Sequence, residues 1–379
     1  MKLFLTDCNF SLGGTSHPGI PFLCDNRMEL VDAPNRYLRY VATVRGRSRA
    51  PATWRTYADH LFEFFSFLEA NNLPWTSCGI EAMATWRNAM LARKCSRNTV
   101  NQRLRCVQAF YGWAQRQGLV QVLPFSTQDV TVARPPRFLS HLDVSGGRVQ
   151  ANELTLRTTE TPPTFLRLGD AVRFLDALTP ARVRLMGYLM LLTGMRRDEV
   201  VHLDYRALPN PAGQSPNSAL PMVLDGVASP TKGSKRRTVM VPFDLAVALM
   251  EYLTFNRHPL QREYSRRNGS ETTRLFLSQR GEELSPKSLN RAFTAASKRT
   301  SITCRPHVLR HTFGTYELLR MKRTHGEDRA LLWVRERMGH SSISTTEIYI
   351  HAADLIQSDA VDGYQRDLCE ALRHGHSPT

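Results

Sequence analysis

Residues 306–313 read Pro-His-Val-Leu-Arg-His-Thr-Phe. On a helix His307 and Arg310 lie three apart and His307 and His311 four apart, so the three share one face with Cβ atoms about 5–6 Å from each other. Two histidines four apart also suggest a metal, but the zinc-protease pattern HExxH needs a Glu base. No carboxylate lies inside this stretch, which makes metal binding the minor reading. Downstream, residues 338–349 read Met-Gly-His-Ser-Ser-Ile-Ser-Thr-Thr-Glu-Ile-Tyr. The pattern predicts a helix end, a turn and a short second helix that presents Tyr349, nine positions after His340. A lone Tyr is usually a half-buried core residue, so Tyr349 gains standing only in company. Upstream, residues 193–200 read Thr-Gly-Met-Arg-Arg-Asp-Glu-Val, a Gly turn before a new helix with Arg196 in its opening turn. The positive end of the helix dipole disfavours an Arg there, and a bound anion is expected to compensate. Taken alone, Arg196 also reads as a surface residue. Between these segments, Met222–Leu224 and Thr238–Val241 predict two short strands joined by a basic tip with Lys232, Lys235, Arg236 and Arg237. A lysine on such a tip can enter a DNA groove and donate a proton, although a solvated turn fits it equally well.

Composition narrows the partner. The 379 residues suggest two or three domains, and 42% hydrophobic with 22% charged residues disfavours a fibrous or wholly disordered chain. Lys and Arg number 50 against 34 Asp and Glu, and the net charge of +16 suits a polyanion such as nucleic acid or an anionic membrane surface. The longest apolar run, 185–195, is about half of what a helix needs to span a bilayer, so no membrane insertion is expected. The opening Met-Lys-Leu-Phe-Leu meets Thr6 and Asp7 before the apolar core of a secretion signal develops. Seven scattered cysteines without a CxxC pair point away from a disulfide framework or a zinc site, and a cytoplasmic location is expected.

The periodicity divides the chain. Residues 1–35 carry few periodic signals and are expected to form an N-terminal arm. Residues 36–123 hold helical stripes: Thr53, Tyr57, Leu61, Phe64, Phe65 and Leu68, a second stretch from Ile80 to Arg93, and a third from the N-cap Ser96 to Gly118. From Ala82 to Gln128 there is no acid, while Arg87, Arg93, Lys94, Arg97, Arg103, Arg105 and Arg116 fall inside. Helix faces in water usually mix signs, so this stretch is expected to lie against phosphates. Residues 124–163, rich in Pro, Gly, Ser and Thr, predict a linker with room for short strands. Helices are expected at 166–178 and 180–192, the hairpin follows, and residues beyond Pro242 are mainly helical with a polar break at 256–274. The tail 353–379 has a helical apolar stripe.

Taken together the four motifs resemble the tyrosine recombinase, or phage integrase, family. Its Thr-Gly-Leu-Arg-x-x-Glu-Leu is similar to 193–200, its Gly-Lys-Gly hairpin to 231–233, its His-x-Leu-Arg-His to 307–311, and its Leu-Gly-His…Tyr to 338–349. The likeness covers about 166–352. The helices carrying Thr53, Tyr57, Ser96, Thr99, Val100 and Asn101 are similar to the family's core-binding domain. Met195 and Met338 stand where Leu is usual, Thr231 replaces a Gly beside Lys232, and 321–330 looks like an insertion.

The resemblance implies a mainly α fold with a small β-sheet. A helical, SAM-like core-binding domain (36–123) and a mixed α/β catalytic domain (164–352) would form a C-shaped clamp on duplex DNA. It implies catalytic roles for Arg196, Lys232, His307, Arg310, His340 and Tyr349, support from Glu199, and backbone contacts from Arg87, Arg93, Lys94, Arg97, Arg103, Arg105, Lys235, Arg236 and Arg237. No cofactor or metal is expected. The expected partners are a specific recombination site on double-stranded DNA, three further copies of the chain in a tetramer on two sites, and accessory DNA-bending or directionality proteins. The implied activity is site-specific recombination for a mobile element, with integration or transposition as its outcome. A type IB topoisomerase shares the chemistry, and a non-catalytic DNA-binding protein of this fold is the other alternative.

Overall fold

The structure, a computed structural model, describes residues 1–46, 51–131, 148–158, 163–226 and 236–340, together with 346, 348–350, 353 and 370. The chain forms two compact units, Met1–Glu160 and Thr161–Thr379. It is mostly helical with small sheets, as the resemblance implied.

In the first unit the helices α1 (Asp32–Thr43), α2 (Pro51–Ala70), α3 (Ile80–Ala92) and α4 (Arg97–Arg116) enclose an aromatic core. Phe64, Trp86, Phe110 and Tyr111 are fully or almost fully buried and meet largely edge to face, the arrangement favoured by ring quadrupoles. Ser96 caps α4 by accepting the Thr99 N–H at 3.1 Å.

One expectation for this unit is corrected. Residues 1–35 are not a free arm. Strand β1 (Lys2–Leu5) pairs antiparallel with β4 (Pro21–Cys24) around the small ribbon of β2 (Ser11–Leu12) and β3 (Thr15–Ser16), and α1 already begins at Asp32. Leu23 is wholly buried in the helical core, and the N-terminal ammonium pairs with Glu69. The stretch 124–163 does carry short strands, for which its composition left room. Strand β5 (Thr127–Thr131) pairs with β6 (Arg148–Asn152). The chain after β6 is then fixed to α4 by the buried Asn101, whose amide donates to Leu156 O at 2.8 Å and accepts the Leu156 N–H at 2.9 Å.

The second unit packs α5 (Leu168–Asp176), α6 (Ala181–Thr193), the short α7 (Arg197–Val201), the ribbon β7 (Ala219–Leu224) with β8 (Arg237–Pro242), α8 (Phe243–Glu251), α9 (His258–Asn268), α10 (Pro286–Thr300), α11 (Pro306–His325) and α12 (Glu327–Met338). Helix α6 is buried on nearly every side, which explains its all-round apolar sequence. Gly187 lies so close to α5 that a Cβ there would stand 2.7 Å from Leu175. The expected polar break at 256–274 is corrected as well: a π-helical turn, Tyr252–Arg257, runs straight into α9. Arg257 is buried there, donating to the carbonyls of Arg274 (2.8 Å) and Thr272 (2.6 Å) and stacking on Tyr205 at 4.4 Å. The suspected insertion at 321–330 is the last turns of α11, a corner at Gly326 and the first turn of α12.

Candidate active site

Two helix C-termini point carbonyls into one place. Helix α6 ends at Gly194 and α12 at Gly339, both with left-handed φ (67° and 62°). The last carbonyls of a helix carry partial negative charge and lack intrahelical partners, so they attract cations. Arg310, from the second turn of α11, is 2% exposed and donates to Gly194 O and to Met338 O, the latter at 2.5 Å. Arg196 donates to Gly339 O at 3.0 Å. The two guanidiniums therefore stitch the turn before α7 to the end of α12.

Arg196 is the N-cap of α7, and Glu199 relieves part of its electrostatic awkwardness from inside the protein. Glu199 at the third helical position accepts the Arg196 backbone N–H at 2.7 Å and its guanidinium at 3.0 Å. The same carboxylate takes Arg237 from the start of β8 in a two-pronged pair at 2.8 and 2.5 Å. Arg237 was expected on the DNA-facing surface, but it is 9% exposed with its guanidinium committed to Glu199, so that assignment is corrected. Three guanidiniums against one carboxylate leave the site with two uncompensated positive charges.

Glu199 is fully buried, and its pKa falls to about 2 because the bonds and charges of Arg237 and Arg196 outweigh the cost of burial. A depressed carboxylate stabilises the fold above its unfolded pKa and loses that contribution as pH falls towards the folded value. The Glu199 pair should therefore supply on the order of 3 kcal/mol at neutral pH that disappears between about pH 4.5 and 2. Acid titration of the thermal midpoint should show this loss, and Glu199→Gln should flatten it. An unchanged acid limb in that variant would show that Glu199 is not the group responsible.

Around these cations stand a tyrosine and three histidines. Tyr349, in the helical residues 348–350, is 1% exposed, and burial pushes its phenol up to about 12 against the lowering effect of Arg310 and Arg196. Its ring lies nearly parallel to that of His340, 6.1 Å between centroids, and crosses α11 at Gly314, where a Cβ would come within 2.8 Å of Cζ. Its hydroxyl lies 2.9 Å from Nδ1 of His311. His340 Nδ1 is 3.0 Å from the hydroxyl of the buried Thr346. Burial first, then Arg310 and Arg196, hold His340 down at about 3; burial and Arg310, Arg196 and Arg197 lower His307; burial, His307 and Arg310 lower His311 to about 4. All three are neutral at pH 7, which leaves ring nitrogens able to accept protons. Arg310, pushed down to about 9 chiefly by burial, remains charged. Beside Arg196 and His307 a groove of about 610 Å³ opens, with Arg197, Arg305 and Asp198 on its walls.

The structure thus brings Arg196, His307, Arg310, His340, Tyr349 and Glu199 together, and adds Arg237 and His311, to which sequence reasoning gave no role in this cluster. Lys232 and Lys235 lie outside the described residues. Arg236 is exposed next to β8. In the first unit Lys94, Arg97 and Arg105 are exposed and Arg87 is half-buried. Arg93 is exposed but pairs with Glu63, which Arg103 also approaches at 3.7 Å, so part of this basic stretch is neutralised by an acid from α2.

Residues 164–355 match the phage integrase family and residues 35–118 its N-terminal SAM-like domain. The chain belongs to the phage integrase family, the tyrosine recombinases, and is thereby a DNA breaking and rejoining enzyme of site-specific recombination. Among its relatives, the tyrosine recombinase XerC of Herpetosiphon aurantiacus is 25% identical over 321 residues, 84% of this chain and 90% of that protein. Among solved structures, the XerH site-specific recombinase in a post-cleavage complex with its difH substrate aligns over 86% of this chain and 80% of its own, with a TM-score of 0.55 at 20% identity. The Tn1549 transposon integrase with a circular intermediate DNA aligns over 84% and 93%, with a TM-score of 0.52 at 19% identity. Among the described residues no helix is long and apolar enough to cross a membrane.

Proposed function

We propose that this chain is the integrase or resolvase of a mobile element, acting as a tetramer on two copies of one duplex site through a 3′-phosphotyrosyl intermediate. The observation that carries the reading is the pair of uncompensated positive charges held beside the phenol of Tyr349. An anion entering there relieves their mutual repulsion, and a phosphodiester is an anion with two free oxygens to grip. In this reading Arg196 and Arg310 grip the non-bridging oxygens, and Tyr349 attacks phosphorus. The P–O5′ bond breaks, Lys232 protonates the leaving oxygen with Lys235 as its fallback, His307 assists, and His340 holds a phosphate oxygen. The phosphodiester energy stays in the protein–DNA link, so rejoining needs no nucleotide hydrolysis. Arg87, Lys94, Arg97, Arg105 and Arg236 contact the DNA backbone, and accessory proteins set direction.

Two labelled duplexes of different length, each carrying the site, test this. Strand exchange between them, giving hybrid-length products, is expected; relaxation of supercoils without hybrid products would instead mark a nicking-closing enzyme.

A further inference from the structure

We infer that His311 is a catalytic residue of this site: its Nδ1 takes the phenolic proton from Tyr349 as the tyrosine attacks. The inference rests on Tyr349 being the nucleophile, and the test below separates the two. The geometry is direct. Nδ1 stands 2.9 Å from the Tyr349 hydroxyl, within the range a general base needs, and the two groups come from α11 and from residues 348–350, 38 positions apart in sequence. His311 is half-buried, so bulk water has limited access to compete for the proton.

The surroundings explain why the base would be idle without DNA. His311 faces His307 one turn earlier on α11 (ring centroids 4.4 Å apart), Arg310 on the same helix, His340 from the end of α12 and Tyr349 itself. Positive charge next to a histidine opposes its protonation; here burial first, and then the neighbouring His307 and Arg310, hold its basicity far below normal while the phenol keeps its proton. A scissile phosphate entering between Arg196 and Arg310 offsets the part of that lowering that comes from Arg310. His311 then becomes more basic just when an acceptor is needed. The balance closes: the Oη–H bond breaks as Oη–P forms, the proton moves to Nδ1, the P–O5′ bond breaks, and the 5′-oxygen takes its proton from the general acid. Rejoining runs the same transfers backwards, with Nδ1 returning the proton to the phenolate. His307, by contrast, makes no hydrogen bond to Tyr349 among the described contacts.

The test is single-turnover cleavage of a suicide duplex under saturating protein from pH 6 to 9, for the full-length protein, His311→Gln and His311→Ala. Gln keeps an acceptor for the hydroxyl but cannot take the proton. General bases contribute roughly 10²–10⁴-fold, so His311→Gln should slow adduct formation at least about 100-fold at neutral pH and bind the DNA normally. Imidazole should restore part of the rate of His311→Ala. Rates of His311→Gln within threefold of the parent, or faster ones, would overturn the inference, as would absence of rescue in a His311→Ala protein that still binds DNA. Should both variants fail to bind, the unaltered protein decides with a 5′-bridging phosphorothiolate, whose leaving group needs no acid. A fall in rate on the acid side must persist if a histidine accepts the tyrosine proton, and its disappearance sinks the inference. Failure of the unaltered protein to form any adduct at Tyr349 would instead remove the proposed nucleophile.

Discussion

Tyr349→Phe is expected to abolish covalent capture of DNA completely while leaving affinity for the site nearly unchanged. The substitution removes one oxygen from a ring that is 1% exposed and keeps its packing against Gly314 and His340, so the fold should tolerate it. Among the described residues, the hydrogen bond lost is the one to His311. Binding energy comes from contacts between cations and the DNA backbone, none of which the phenol supplies. A gel that resolves free protein from the protein–DNA adduct reads the outcome. Persistence of the adduct in the variant would show that another residue is the nucleophile.

The next largest effect is expected at Arg310. Arg310→Ala removes a buried guanidinium that satisfies Gly194 O and Met338 O, and it leaves Arg196 alone to face the phosphate. Each stranded carbonyl costs about 1–3 kcal/mol, so the thermal midpoint should fall by several degrees. Loss of a preorganised donor at the reacting phosphate costs about 10²–10³ in rate, and the slackened turn before Arg196 adds to it. Cleavage should therefore drop by about 10³-fold or more. Arg310→Lys retains the charge but not the planar fork that reaches two carbonyls at once, and should lie between the two. Single-turnover cleavage together with a melting curve checks both parts. Cleavage by Arg310→Ala within tenfold of the parent would remove Arg310 from the phosphate clamp.

The parts of this molecule legible in its sequence are those set by local rules. The αL glycine that closes α6, the Ser96 cap, the short strand at 238–241 and the shared face of His307, Arg310 and His311 each depend on residues within a few positions of one another. Long-range pairing explains what was missed. The register of β1 with β4 joins Lys2 to Cys24 across a ribbon with no periodic signal, and Asn101 holds Leu156 from 55 residues away. Arg257 ends up buried because Tyr205 and the carbonyls of 272 and 274 meet it, which a run of polar residues in sequence gives no sign of. The site shows the same division. Its members could be picked out from four short motifs, but Arg237 reads as one more charge on a basic turn until Glu199 is found 38 positions upstream. His311 likewise looks like a neighbour of Arg310 until Tyr349 folds over it.

The central claim, that Tyr349 becomes joined to DNA through its phenolic oxygen, is tested most directly by proteolysis and mass spectrometry of the protein trapped on a suicide duplex carrying its site. The expected product is a nucleotide attached by its 3′-phosphate to the peptide containing Tyr349, with a 5′-hydroxyl on the released strand. A nucleotide on any other residue, a 5′-phosphoryl link, or cleavage that leaves no protein attached would contradict it.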